Sequence, residues 1–246
     1  MTPEKLITEF TSRAKAAAGE NLRSLILYGS AANGEFHPEF SDVNLLCVLG
    51  DISFRSLQAL APTVKWWLGQ KEPVPQVTTS EELRRSADVF AIELLDMQQR
   101  YRVLAGDDVL RGLHVDLRHH RAQVEYELRE KLMLLRKGAM VAGNNQDRLW
   151  DLLLGSLSAF TTLFRHASLA LKGGVPASRR DAAAALAERI HFDSSPFLQL
   201  LAIRERRAER KQFEATEVFS RYLAAVEQVA SAVDTMFDSG SGDPHE

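Results

Sequence analysis

The sequence predicts an α+β fold in which a mixed β-sheet with flanking helices is followed by an all-α antiparallel helical bundle. Two apolar runs of strand length, at residues 25–28 and 43–49, are separated by small and polar residues, which is typical of a strand, a turn and a second strand. After Asp116 no segment has the pattern of a confident strand, and apolar residues recur at helical spacing instead. A chain of 246 residues is long enough to form two modest domains.

The first half of the chain alternates between helical and extended segments. Asp51 or Ser53 is expected to cap a helix that ends at Gly69. Pro73 and Pro75 confine the short extended segment around them to the edge of a sheet or to an irregular strand. In chain order, the predicted elements are a helix at 3–18, strands at 22–28 and 43–49, the helix that ends at Gly69, an extended segment at 73–78, a helix from Ser80, an apolar run of strand length at 90–95 and a short strand at 103–108.

The second half is predicted to be helical. Glycine-, asparagine- and proline-containing breaks separate its segments, and four or five helices with short connections imply an antiparallel bundle. The helical periods run over 116–141, 147–172, 179–190 and 212–237. The sequence therefore divides into a sheet domain at 1–112, a helical bundle at 113–238 and a disordered tail at 239–246, which is rich in Ser and Gly.

Charge and cysteine content restrict the class of protein. Thirty basic against thirty-three acidic residues give a net charge of −3, which argues against a dedicated nucleic-acid-binding protein, because such proteins carry a basic surplus. The single cysteine, Cys47, lies in an apolar run and is expected to be a buried thiol. No stretch reaches the roughly 20 apolar residues of a membrane-spanning helix, and no signal peptide opens the sequence. These features predict a cytoplasmic protein with no membrane partner.

The ends of the first two strands carry the candidate chemistry. The first strand ends at Gly29-Ser30, and after eleven further residues Asp42-Val43-Asn44 opens the second strand. Gly29 lets the backbone come close to a bound phosphate, and the hydroxyl and backbone N–H of Ser30 can donate hydrogen bonds to it. Because side-chain direction along a strand has a period of two, Asp42 and Asn44 share a face and can present oxygen ligands to one cation.

This pattern resembles the signature of the DNA polymerase β-like nucleotidyltransferases, including minimal and antibiotic-type members, in which Gly-Ser is followed by an acidic-apolar-acidic triplet. The resemblance spans about residues 20–50 and implies a nucleotidyltransferase-like mixed sheet, ATP or another nucleoside triphosphate as substrate, and Mg²⁺ as cofactor. It assigns Gly29 and Ser30 to the nucleotide, Asp42 and Asn44 to the metal, and Asp42 to catalysis. The family's second aspartate is replaced by Asn44, whose neutral amide oxygen predicts a weakened Mg²⁺ site.

The family also uses a third acidic residue on a later strand. In the first extended segment after the second helix, Gln76 and Thr78 occupy the expected positions, and neither is acidic. Glu93, in the next apolar run, is the predicted third ligand or general base, and Asp96 is the alternative. An acid in such a run also fits a solvated face or a pair with a nearby arginine, so a structural role for Glu93 stays open.

Other polar residues have a structural interpretation. His37, between the two halves of the pattern, is expected to be an exposed loop residue. His119 and His120, which arginines flank, are expected to form a solvated, basic first turn of a helix, because they lack carboxylates at metal-ligand spacing. The charge run at 204–211 mixes arginine with glutamate and is expected to be a solvated face or a linker.

Three functional interpretations follow. In the first, the chain is a transferase that moves a nucleoside monophosphate from a triphosphate to a hydroxyl acceptor, with Asp42 and Glu93 as catalytic residues. The second interpretation is a degenerate relative that binds a nucleotide without turnover, and Asn44 and Gln76 point to it. The third is an interaction module in which the bundle forms a homodimer or binds another protein. The acceptor has no local signature in the sequence.

Overall fold

The structure, a computed structural model, describes residues 2–32, 42–171 and 178–235. These residues divide into two compact units, one ending at Leu117 and the other beginning at Arg118. Within the described ranges, all strands belong to the first unit, and the second unit contains only helices and their connections. The predicted α+β fold class is confirmed.

The first unit is built on a four-stranded mixed sheet with strand order β3-β2-β1-β4. Strand β1 runs antiparallel to both of its neighbours, β2 and β4, whereas β3 runs parallel to β2. The elements of this unit are α1 (Pro3–Ala18), β1 (Leu22–Tyr28), β2 (Asn44–Leu49), α2 (Phe54–Leu68), β3 (Gln76–Thr79), α3 (Ser80–Arg85), α4 (Ala91–Gln99) and β4 (Tyr101–Gly106).

Both faces of the sheet are buried, which explains why β1 and β2 read as continuous apolar runs. On one face, side chains of β1 and β2 pack against α1 and α2, where Phe10 and Trp67 meet edge to face with ring centroids 4.8 Å apart. Cys47 belongs to this core, as expected, and its burial raises the pKa of the thiol to about 12. On the other face, Leu46 packs with residues of α3 and α4, including Met97.

Strand β3 occupies the predicted edge position next to β2. The chain passes directly from this strand into α3 through a capping box. The Thr79 side chain accepts a hydrogen bond from the backbone N–H of Glu82, and the Glu82 carboxylate accepts one from the backbone N–H of Thr79. This reciprocal pairing stabilises the first turn of α3 and fixes where the strand ends.

The predicted strand at 90–95 is wrong, because this segment forms the beginning of helix α4. The buried residues of α4 are Ala91, Ile92, Leu94 and Met97, of which Leu94 and Met97 pack in the core that contains residues of β1 and β2. A short apolar run has no unambiguous period, so its packing partner decides between helix and strand. Glu93 therefore lies on a helix and not on a strand.

The second unit contains five helices within the described residues. The connection between α5 and α6 has only three residues, which makes these two helices antiparallel neighbours. Helix α8 lies in a segment for which the sequence analysis predicted no helix. The helices are α5 (His120–Ala142), α6 (Gln146–Ala170), α7 (Arg179–Ile190), α8 (Ser195–Arg204) and α9 (Ala215–Thr235).

Aromatic rings fill much of the bundle core. The Phe197 ring lies 4.7 Å from the Phe164 ring and 4.4 Å from the Tyr222 ring, measured between centroids. Tyr222 is fully buried, and its hydroxyl lies 3.0 Å from the hydroxyl of Ser156. A buried tyrosine hydroxyl needs such a partner, so this hydrogen bond helps to fix α9 against α6. Among the described residues, no helix combines the length and apolar character needed to cross a membrane.

The expected solvated turn at His119 and His120 is wrong for one of the two residues. His119 is exposed, but His120 is only 2% exposed, and its Nε2 atom lies 2.9 Å from Nδ1 of the buried His166. Burial, together with the charge of His166, lowers the pKa of His120 to about 4. The residue that lies opposite His120 in space is 46 positions away in sequence, so the local pattern gave no sign of the pair.

The charge run at 204–211 also combines exposed residues with a buried one. Residues 205–211 are largely exposed and connect α8 to α9, as the linker interpretation predicts. Arg204, however, is buried at the end of α8 and donates a hydrogen bond from Nη1 to the Ser158 hydroxyl, at 2.7 Å. The tail predicted at 239–246, and His37, lie outside the described residues.

Candidate functional site

The predicted nucleotide-binding turn follows β1 directly. Gly29 has a φ of +78°, a backbone conformation that glycine adopts far more readily than other residues, and its N–H donates to the carbonyl of Arg100 at 3.2 Å. Residues Gly29–Ala32 form a short 3₁₀ turn in which Ser30 is half-buried. The strand therefore ends in a turn at the position where the sequence analysis placed a phosphate.

Antiparallel pairing of β1 with β2 brings the second half of the sequence pattern next to the glycine turn. Tyr28, the last residue of β1, pairs with Asn44, the first residue of β2. A β-carbon on Gly29 would lie 3.4 Å from Nδ2 of Asn44, so the asparagine side chain packs against the glycine turn. The structure thus places the predicted nucleotide-binding turn beside a predicted metal residue.

Asp42 lies just before β2 and is exposed, whereas Val43 is fully buried in the core against α1 and α2. The backbone N–H of Val43 donates a hydrogen bond to Oε2 of Glu72, at 2.8 Å. Glu72 therefore anchors the peptide that carries Asp42 and Asn44. Sequence reasoning missed this residue, because the two partners are 29 positions apart and no local pattern connects them.

Strand β3 contains Gln76 and Thr78, the positions at which the resemblance leads us to expect a third acidic residue. Gln76 pairs with Leu46 in the parallel ladder, and Thr78 pairs with Val48. Because paired residues of neighbouring strands point to the same face, Gln76 lies on the face of Leu46, two residues along β2 from Asn44. Val77 packs into the opposite core. An amide thus stands on β3 where an acid would complete the pattern.

Glu93 reaches this face of the sheet from helix α4. It is half-buried and lines a cavity of about 630 Å³ between the sheet and helices α3 and α4. Burial, and secondly the negative charge of Glu93, raise the pKa of the Tyr28 hydroxyl to about 12. Tyr28 is the last residue of β1 and pairs with Asn44. The charge of Glu93 therefore raises the pKa of a side chain that lies next to the glycine turn. Asp96, the alternative, is not among the residues that line this cavity.

The cavity itself is mainly apolar with a few polar side chains at its wall. Leu46, Phe90 and Met97 supply apolar surface, and Gln76 and Glu93 supply polar atoms. This composition is typical of small-molecule sites, in which a few polar groups orient a mostly apolar contact.

Within residues 2–32, 42–171 and 178–235, no group of three or more His, Cys, Asp or Glu side chains is placed to hold a metal ion. In the part of the chain that the structure describes, the predicted donors at the strand ends are the carboxylate of Asp42 and the amide oxygens of Asn44 and Gln76, while the nearby Glu72 carboxylate accepts a hydrogen bond from the backbone N–H of Val43. Mg²⁺ in proteins is commonly held by one or two carboxylates together with substrate phosphates. This donor set fits one Mg²⁺ that arrives with a triphosphate, and it does not fit a pair of metal ions held by three carboxylates.

No protein-family model matches the sequence, and no curated protein matches it significantly. Among solved structures, the chain is similar to the spectinomycin adenyltransferase AAD(9) from Enterococcus faecialis, whose crystal structure contains ATP and spectinomycin. The TM-score is 0.60 at 12% sequence identity, and the match covers 95% of this chain and 100% of the adenyltransferase. The mixed sheet and the helical unit are therefore those of a nucleotidyltransferase-like fold.

Proposed function

We propose that this chain binds a nucleoside triphosphate, with ATP the first candidate, at the turn formed by Gly29 and Ser30. In this proposal Asp42 holds the Mg²⁺ ion that accompanies the triphosphate, and Asn44 contributes a neutral oxygen. Transfer of the nucleoside monophosphate is slow or absent. The fold similarity to an adenyltransferase that was solved with ATP supports the choice of ligand.

The observation that carries the proposal is the contact between the glycine turn and the start of β2. Gly29 has a positive φ, and Nδ2 of Asn44 lies 3.4 Å from the position that a β-carbon would take, so the turn and the start of β2 are in van der Waals range. A phosphate at this turn would lie beside Asp42 and Asn44. Bringing a polyanion and a metal ligand together in this way is what triphosphate binding requires.

The identity of the donors supports binding in preference to turnover. When bound, Mg²⁺ would neutralise charge on the triphosphate oxygens. Among the predicted ligands at the described strand ends, Asp42 alone is a carboxylate, because Asn44 and Gln76 stand where the resemblance expects two further acids. Amide oxygens can coordinate a cation but add no negative charge, so the charge that develops during transfer would be less well stabilised.

A second candidate is nucleotidyl transfer to a hydroxyl acceptor. The position of Glu93 favours it, because this carboxylate lines the cavity on the same face of the sheet and its charge acts on Tyr28. In that case Glu93 would accept the proton of the acceptor hydroxyl, and the cavity would receive part of the acceptor.

The test is isothermal titration of the full chain with ATP, GTP, CTP and UTP, each in the presence of Mg²⁺, of Mn²⁺ and of a chelator. We expect metal-dependent binding of at least one triphosphate. Asp42→Ala should remove the metal dependence, whereas Glu20→Ala, which removes an exposed carboxylate before the opposite end of β1, should not. A folded protein that binds none of the four triphosphates would contradict the proposal.

The second candidate has a separate readout. Nucleotide labelled at the α-phosphate is incubated with the protein and a panel of hydroxyl-bearing small molecules and proteins. Label that appears on an acceptor in the wild type, and is lost in Glu93→Gln while triphosphate binding persists, would establish transfer and assign the base. Binding without label transfer supports the first proposal.

A further inference from the structure

Helix α5 carries apolar side chains on two faces, and only one of these faces is buried in the bundle. Its inner face, which includes Val124, Leu128 and Leu132, is buried. The outer face also carries large apolar side chains, and these are exposed to solvent. Three of them, spaced seven residues apart, are Tyr126, Met133 and Met140, with exposed fractions of 65%, 52% and 78%.

Two further exposed apolar residues widen this face. Leu134 is 52% exposed and Val141 is 73% exposed, and they also lie seven residues apart. At about 1.5 Å per residue, the distance along the helix from Tyr126 to Val141 is about 22 Å. We call these five residues the α5 stripe. Exposed apolar patches of this kind mark interaction surfaces more often than single exposed apolar residues do, and a seven-residue repeat is the spacing at which one helix packs along another.

Two opposite charges lie within the stripe. On a helical projection at 100° per residue, Glu130 and Lys137 fall between the row of Tyr126, Met133 and Met140 and the row of Leu134 and Val141. The acidic residue lies in the N-terminal half of the stripe and the basic residue in the C-terminal half. Two copies of the stripe in antiparallel orientation therefore bring opposite charges together. Within its own helix, Oε2 of Glu130 also accepts a hydrogen bond from Nζ of Lys131 at 2.7 Å.

We propose that the α5 stripe is the contact between two copies of this chain, with the two α5 helices packed antiparallel. A two-fold axis that passes between Met133 and Leu134 sets the pairing of the two helices. Each residue of one α5 then faces the residue of the other α5 for which the two residue numbers add up to 267. Tyr126 then faces Val141 of the other copy, Met133 faces Leu134, and Glu130 faces Lys137. In these three pairs an apolar residue meets an apolar residue and each charge meets the opposite charge. Met140 lies at the end of the contact, where the same register places it opposite Glu127.

A parallel arrangement does not have this property. It would place Glu130 against Glu130 and Lys137 against Lys137, and like charges held together in an interface are unfavourable. The charged pairs decide orientation and register, whereas the apolar residues supply most of the affinity, because an ion pair that becomes buried contributes little net free energy. One helix pair is smaller than a standard interface, so we expect a weak dimer that dissociates on dilution.

The test is sedimentation equilibrium of the full chain over a series of concentrations. We expect a reversible monomer–dimer equilibrium in the wild type. Met133→Glu places carboxylates next to the two-fold axis and should give a monomer at every concentration. Phe54→Glu serves as the matched control, because Phe54 is an apolar residue of the first unit that is 75% exposed and lies outside the stripe. This variant should dimerise like the wild type.

Charge exchange tests the antiparallel register. Glu130→Lys and Lys137→Glu should each raise the dimer dissociation constant by about ten-fold or more, because each puts like charges opposite one another. The double variant restores opposite pairs, so its dissociation constant should return close to the wild-type value. Thermal unfolding followed by circular dichroism checks that each variant is folded.

Three outcomes would overturn the proposal. The wild type could remain a monomer throughout the series. It could form a dimer that Met133→Glu does not weaken, which would move the interface elsewhere. It could also form a dimer in which the double charge exchange fails to rescue the single variants, which would exclude this antiparallel register.

Discussion

Oε2 of Glu72 lies 2.8 Å from the backbone nitrogen of Val43, and this hydrogen bond ties the loop after α2 to the start of β2. The peptide that it holds lies between Asp42 and Asn44, the two residues expected to face the metal. Val43 is fully buried, so its N–H has to find an acceptor within the protein. A carboxylate that does not touch the ligand thereby positions two residues that would.

Replacing Glu72 should weaken both the fold and the site. Glu72→Ala removes the acceptor of a hydrogen bond to a charged group, and we expect the free energy of unfolding to fall by about 1 to 3 kcal/mol. Glu72→Gln keeps a neutral oxygen at the same position and should lose less. Urea denaturation gives the free energies, and titration with Mg²⁺–ATP shows whether binding weakens in the same order. Equal stability of Glu72→Ala and the wild type would show that the contact contributes nothing.

Restoring carboxylates on β2 and β3 should strengthen metal binding. Asn44→Asp and Gln76→Glu each replace a neutral oxygen by a charged one at nearly constant size. Mg²⁺ should raise the triphosphate affinity by a larger factor in each variant than in the wild type, with an increase on the order of ten-fold. The reason is that ligand charge sets the affinity for hard cations. Gln70→Glu, at an exposed position after α2, is the matched control. If Asn44→Asp leaves metal affinity unchanged, the missing charge at that position is not what limits the site.

Acid should destabilise the helical unit through His120. A histidine in the unfolded chain takes up its proton near pH 6.5, whereas the folded pKa of His120 is about 4. Between these values the unfolded state binds more protons, so the free energy of unfolding falls as the pH falls from about 6.5 to about 4. The contribution of His120 is fully present above pH 6.5, and its slope within the window is at most about 1.4 kcal/mol per pH unit.

The neighbouring histidine provides the control for this pH dependence. His119 is exposed and is followed directly by His120, so His119→Gln should leave the slope of stability against pH as it is in the wild type. His120→Gln should reduce the slope between pH 4 and 6.5. Denaturation midpoints of the three proteins, measured across this range, decide the matter; identical slopes would remove His120 from the explanation.

Gly106 should tolerate no side chain. Its φ is +71°, and a β-carbon would lie 1.9 Å from the carbonyl oxygen of Arg23 on the neighbouring strand. We expect Gly106→Ala to destabilise the first unit by about 3 kcal/mol or more, through backbone strain and overlap together. Gly112 has a similar φ of +73° but open space around it, so Gly112→Ala measures the strain alone. The two free energies of unfolding should therefore differ clearly, and equal values would contradict the overlap.

Much of the first unit could be predicted because its signals are local. The bounds of α1 and β1 agree with the predicted ranges, since an apolar face at helical spacing and a short apolar run between polar residues are both readable within a few residues. Gly29 at the end of β1 was predicted for a similar reason. A small-residue turn at the end of an apolar run is visible in the sequence, and its positive φ was added by the structure.

The errors and omissions concern contacts between residues far apart in sequence. The segment that begins with Phe90 became a helix because its apolar residues pack on the sheet, and that partner is not visible in the run itself. His120 was expected to be solvated because its partner, His166, lies on another helix. Glu72 was missed for the same reason. In each case the local sequence is compatible with two environments, and tertiary packing selects one.

The burial of Cys47 has a practical consequence. Its thiol is the only one in the chain, and a pKa near 12 keeps it in the unreactive protonated form at neutral pH. A cysteine introduced on the surface would therefore be the sole target of thiol-directed reagents, and the native residue need not be removed. Spin labels or fluorophores attached singly at an exposed position outside the α5 stripe would report distances between the copies of the proposed dimer without further engineering of the protein.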